Sequence, residues 1–195
     1  MSQLTFTRIS TRKATEICAQ YPDDTDAQSL LRDESTPAAY LDLLMDQHLY
    51  TAAIRFLSHA LPKHEAVGWA CLCLREMGGE RAGGGPVAAP AAALAATELW
   101  VREPNEDHRR ACHAAAEQAG YGTPAGCAAA AAFFSGGSLG PAHLPEVPPG
   151  PTLTAQCVAG ALMLAAVQRE PEKSDEKYRT FLGHGIQIAS GSRPI

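Results

Sequence analysis

A chain of 195 residues, 46% of them hydrophobic, is long enough for one domain with a substantial buried core. Its formal net charge of -5 and the lack of any basic stripe argue against nucleic acid and anionic membrane surfaces as partners, because both demand clustered cations. Aromatic residues make up only 6% and alanine is abundant, a composition suited to helices packed at close range.

In chain order, residues 1–10 alternate Leu4, Phe6 and Ile9 with polar neighbours and are expected to form a flexible, extended arm. It has no apolar core of a secretory signal, so a soluble, cytoplasmic protein is expected. Thr11 is placed to cap a short helix from Arg12 to about Gln20, ended by Tyr21–Pro22. A polar, acidic segment, Asp23–Asp33, follows, with Leu30–Leu31 on one helical turn. Thr36 followed by Pro37 is a capping residue followed by a residue suited to the first helical position. Tyr40, Leu43 and Leu44 carry that helix to a break at Gln47–His48, and Leu49–Ala60 repeats the pattern.

The stretch Leu61–Gly79 organises the rest. Pro62 fits its first turn, and Val67, Ala70, Cys71, Leu74 and Met77 recur on one face. Trp69, Leu72 and Cys73 are apolar and lie off that face, so the helix is apolar nearly all round and belongs at the centre of a bundle. Gly78–Pro86 reads as a linker between sub-bundles of residues 36–78 and 88–190.

Beyond it, Pro90–Val101 is helical, Asn105 caps a helix to Ala119 that Gly120 stops, and Thr123–Pro124 opens another over Ala125–Phe134. A Gly/Pro-rich loop runs from Ser135 to Pro151. Thr154–Gln168 is the next helix; its strongly apolar part, Cys157–Val167, is shorter than the about 20 residues that a bilayer crossing takes. A last helix spans Ser174–Ala189 after Pro171. The architecture read from this pattern is all-α: a compact multi-helix bundle of stacked helical hairpins around a central apolar helix.

Motifs that could carry chemistry each meet a plainer explanation. Gly136–Gly140 matches G-x-S-x-G around Ser138, but a nucleophile elbow needs a strand before the serine, and here a helix precedes it. Gly83–Gly85 lacks the Lys and Ser/Thr of a phosphate loop, since Pro86 follows. His108 and Cys112 share a helical face and could give two metal ligands, without a motif to supply the others. Cys71 and Cys73 point to nearly opposite sides of a helix. All six cysteines (Cys18, Cys71, Cys73, Cys112, Cys127 and Cys157) sit in helical or apolar segments, as small buried thiols do. His64–Glu65 and Arg75–Glu76 could form acid/base pairs, but read more simply as solvated helix ends. No catalytic residue, cofactor or metal is therefore assigned, and Trp69, Trp100, Pro62 and Phe133 are expected to be structural anchors.

The runs Ala60–Cys73, Trp100–Pro104, Thr123–Gly126 and Phe133–Leu139 together resemble a family of uncharacterised bacterial proteins, a domain of unknown function found near type VI secretion genes. The resemblance covers about Thr36 to Ala189; the family pattern often carries an aromatic residue where this chain has Gly68 and another where it has Cys127. It implies a helical accessory protein of the bacterial cytoplasm and supplies no catalytic residue. The expectation that follows is a non-enzymatic interaction module whose partner is another protein, such as a secretion-system component. Its docking surfaces would be Asp23–Asp33 and the loop bearing Ser135, Ser138, Leu139, His143 and Leu144. Two alternatives stay open: a small hydrolase or transferase using Ser138 or the His108/Cys112 pair, and a self-associating structural subunit.

Overall fold

A computed structural model describes residues 5–22, 25–78, 88–141 and 143–195, which form ten α-helices and no strand. They are α1 (Ala14–Cys18), α2 (Thr25–Leu30), α3 (Pro37–Asp46), α4 (Tyr50–Ala60), α5 (Lys63–Glu76), α6 (Ala88–Arg102), α7 (Glu106–Ala119), α8 (Pro124–Phe133), α9 (Leu153–Gln168) and α10 (Ser174–Ala189). A 3₁₀ turn, Pro171–Lys173, leads into α10.

Local chemistry sets the starts of three helices. The Thr36 hydroxyl accepts the Ala39 N–H at 3.2 Å, the Asn105 side-chain Oδ1 the His108 N–H at 2.8 Å, and the Thr123 hydroxyl the Gly126 N–H at 3.0 Å. Each satisfies a donor that the first turn leaves without a partner. His48 (φ 57°) and Gly120 (φ 81°) take the left-handed conformation where α3 and α7 end. At the end of α9, the Lys177 ammonium donates to the Ala166 carbonyl at 2.9 Å and also to that of Arg169.

Three expectations change near the N-terminus. α1 is only five residues long and is not capped by Thr11; the Ala14 N–H donates instead to the Ser35 carbonyl at 2.8 Å. The Asp23–Asp33 segment holds a six-residue helix rather than one turn. The arm is docked, not free, along residues 7–9: Arg8 N–H donates to the Ala189 carbonyl at 2.9 Å, Thr7 Oγ1 to that of Ser190 at 2.8 Å, and Ile9 is buried. Residues 1–4 of that arm and residues 79–87, most of the expected linker, lie outside the described residues.

α9 and α10, which follow the linker region, lie against α4 and α5, which precede it, and the buried apolar residues form one continuous core. α5 is indeed wrapped by α6, α8, α9 and α10. It shares the centre, however, with α8, whose Ala128–Ala132 are all buried and which touches α5, α6, α7 and α9. Methyl side chains let those backbones come close, which a count of large apolar residues does not reveal.

Trp69 is fully buried, and its indole N–H donates to the Phe181 carbonyl at 2.7 Å, tying α5 to α10. Trp100 and Phe133 are buried as well, whereas Pro62 is exposed and sits one position ahead of α5 as its N-cap. Gly68, in mid-helix, is overlaid by Ile195: a Cβ there would lie 2.3 Å from the Ile195 side chain. Among the described residues, no helix is long and apolar enough to cross a membrane.

Two glycines of α10 give opposite expectations. A Cβ at Gly185 would meet Leu57 Cδ2 at 2.5 Å and Trp69 Cε2 at 2.8 Å, whereas at Gly183 it would meet nothing within 4 Å. Gly185→Ala is expected to destabilise the fold by about 1–3 kcal/mol through overpacking, and Gly183→Ala to stabilise it by up to about 1 kcal/mol through helix propensity. Urea denaturation of the two variants reads both signs.

Candidate functional site

The loop that follows α8 is built around one buried cation. Arg109, on α7, is only 4% exposed, so its guanidinium must find its partners inside the protein. It donates to both carboxylate oxygens of Glu106, at 2.7 and 2.8 Å, and to the carbonyls of Phe133 at 2.6 Å and Ser138 at 2.9 Å. The same group lies over the Phe133 ring, 4.7 Å from its centroid, and His113 stacks on that ring at 4.2 Å. Arg110 adds bonds to Glu106 at 2.6 Å and to the Gly140 carbonyl at 3.0 Å. Hydrogen bonding from Arg109, with the charges of both arginines, holds the Glu106 carboxyl below its ordinary range. Gly137 turns the loop at φ 63°, where a Cβ would lie 2.9 Å from the Arg109 guanidinium.

From this base the loop folds on itself. The Ser138 hydroxyl accepts the N–H groups of Gly140 and Val147, both at 3.1 Å. The Leu139 N–H donates to the Val147 carbonyl at 2.8 Å, and the Leu144 N–H to that of Pro141 at 3.0 Å. Lys63, at the start of α5, donates to the Ser135 carbonyl at 3.0 Å. What the loop turns outward is apolar: Leu139 is 36% exposed, and Leu144 and Val147 are 53% exposed. His143 is exposed beside them, while Ser135 and Ser138 are half-buried. Val147 and Arg109 also build this loop and were not among the candidate residues read from the sequence. No local pattern in the sequence links Arg109 to a loop about 30 residues further on.

The other candidate groups do not converge on one another. Ser138 follows a helix, and its hydroxyl accepts two bonds of a turn. Cys112 is buried, donates to the Ala96 carbonyl at 3.5 Å and has its thiol pushed up to about 11 by burial. His108 points instead to the corner before α7, where its Nδ1–H donates to the Glu103 carbonyl at 2.8 Å. The charged ends of α5 are partnered across helices rather than simply solvated. His64 donates to the Val101 carbonyl at 2.8 Å, Arg75 pairs with Glu98, and His184 donates to Glu76 at 2.6 Å. Burial raises the Cys71 and Cys73 thiols well above their ordinary range. Among the described residues, no three His, Cys, Asp or Glu side chains are grouped to hold a metal ion.

Removing the guanidinium leaves the Phe133 carbonyl without its donor and the Ser138 carbonyl with only the longer bond from Arg110, at 3.5 Å. Arg109→Gln is expected to cost about 2–4 kcal/mol, and Arg110→Gln, whose side chain is 34% exposed, less than about 1 kcal/mol. Urea denaturation separates the two.

His59, on α4, adds a pH dependence. It is buried against Tyr21, with ring centroids 4.4 Å apart, and its Nδ1 has no hydrogen-bond partner among the described residues. Burial, then the Arg55 charge, lowers its pKa from 6.5 to about 4. The unfolded chain therefore binds this proton first as pH falls, so stability present above about 6.5 is progressively lost down to about 4. The difference corresponds to roughly 3 kcal/mol. His59→Leu is expected to flatten that limb of the stability–pH curve.

Compared with known proteins, residues 40–189 match the model of DUF6931, a family of unknown function. No curated protein and no solved structure matches the chain.

Proposed function

We propose that this chain, which belongs to the DUF6931 family of unknown function, is a helical docking module that binds another protein through the loop after α8. The observation that carries this reading is the pairing of a fixed base with an apolar tip: Arg109 clamps the loop while Leu139, Leu144 and Val147 face solvent. Scattered exposed apolar residues are ordinary on any surface. Here three of them share one loop whose arms are joined by the Leu139–Val147 hydrogen bond, and a pre-ordered surface loses less entropy on binding. Exposed His143 and Glu146 provide polar groups at its edge.

The resemblance to proteins encoded near type VI secretion genes makes a component of that machinery, or its cargo, the first partner to test. Catalysis through Ser138 or through His108 and Cys112 is disfavoured, since each side chain is engaged in holding a turn, a helix corner or a helix contact.

The test is affinity purification of the tagged protein from its own cells, followed by the Leu144→Asp/Val147→Asp variant. A stoichiometric protein partner is expected, bound at least about tenfold more weakly by the variant, because apolar anchors carry about 1–2 kcal/mol each. Undiminished binding by a variant with unchanged helical circular dichroism contradicts the assignment to this loop.

A further inference from the structure

Two cysteines far apart in the chain meet where α8 packs on α9. Gly160, on α9, faces Cys127 of α8: a Cβ at Gly160 would lie 3.8 Å from the Cys127 Sγ. Cys157 stands three residues before Gly160, on the same side of α9. Tyr121, in the corner before α8, is near both. The Cys127 thiol donates to its carbonyl at 2.9 Å, and the Cys157 charge acts on its phenol. Cys127 and Cys157 are half-buried, so reagents reach them, whereas Cys71, Cys73 and Cys112 are buried.

The surroundings narrow what such a pair can hold. Burial raises both thiols, Cys157 to about 11 with help from Cys127, and among the described residues no cation lowers either. Both therefore stay protonated at neutral pH. A metal that needs three or four protein ligands finds no group of that size among the described residues. Two thiolates on a monovalent cation would leave a net negative charge with nothing beside it in compensation. The ligand that fits is soft, takes two sulfurs and ends neutral.

We propose that Cys127 and Cys157 form a dithiol site for monosubstituted trivalent arsenicals, which bridge α8 to α9. The ligand reacts as its dihydroxide. Each sulfur forms a bond to arsenic, each arsenic–hydroxyl bond breaks, and each thiol proton leaves with that hydroxyl as water. Nothing is oxidised or reduced, neither thiol has to ionise beforehand, and the product carries no charge. Both sulfurs sit on helices already packed together, so little order is lost on closing the bridge. The site uses none of the residues of the loop after α8, so it succeeds or fails apart from the docking function.

The test treats the reduced full chain with phenylarsine oxide and follows its intact mass. Uptake of a single phenylarsenic group is expected, with two hydrogens lost from the protein. Peptide mapping after N-ethylmaleimide should then find Cys127 and Cys157 protected together, which reads the site without any substitution. Excess glutathione should strip the group from Cys127→Ser or Cys157→Ser at least about a hundredfold faster than from the native chain, because the second sulfur acts at high local concentration. Cys18→Ser, on α1, should behave as the native chain does. No uptake by the native chain, alkylation of either cysteine while arsenic is bound, or native retention by a folded Cys127→Ser or Cys157→Ser variant overturns the proposal.

Discussion

Arg109 is withdrawn from water, and each face of its guanidinium is used inside the protein. One edge meets the carboxylate of Glu106 in the first turn of its own helix, where a negative charge also suits the helix dipole. The remaining donors reach the last turn of α8 and the loop beyond it, and the flat face covers Phe133. A buried cation leaves few alternatives, because an unpaired charge there would be far more costly than any loop rearrangement. The loop turns at positive φ at Gly137, directly against the guanidinium, and its apolar side chains face outward. The function proposed for the protein depends on this constraint.

The clamp in turn depends on where α7 and α8 sit, and small side chains decide that. The buried alanines of α8 allow four other helices to approach it closely, so the end of α8 is delivered to Arg109 by packing rather than by specific bonds. The opposite strategy operates between α5 and α10, where the largest buried side chain, Trp69, needs a glycine beside it and a carbonyl to accept its N–H. One core thus combines shallow alanine contacts with a few deep aromatic ones.

Features that are local in the chain were legible in the sequence. The caps at Thr36, Asn105 and Thr123, the stop at Gly120 and the all-helical pattern follow from neighbouring residues, and the structure shows them where expected. The central role of α5 was legible too. The importance of α8 was not, since alanine contributes little to a hydrophobic pattern even when it is fully buried. Contacts between distant segments were equally hidden: residues 7–9 on the end of α10, Ser35 fixing α1, Ile195 over Gly68 and Arg109 under the loop. Of the candidate site, the loop and its leucines could be read directly from composition. The group that orders the loop could not, because a charged residue on a predicted helix gives no sign that it is buried.

The claim on which the functional reading rests is that this Gly/Pro-rich loop is rigid. Backbone ¹⁵N relaxation of the native protein tests it most directly. The account predicts order parameters at Leu139, Gly140 and Val147 close to the about 0.85 typical of the helices. Values below about 0.6 at those residues would contradict a loop held in place by Arg109.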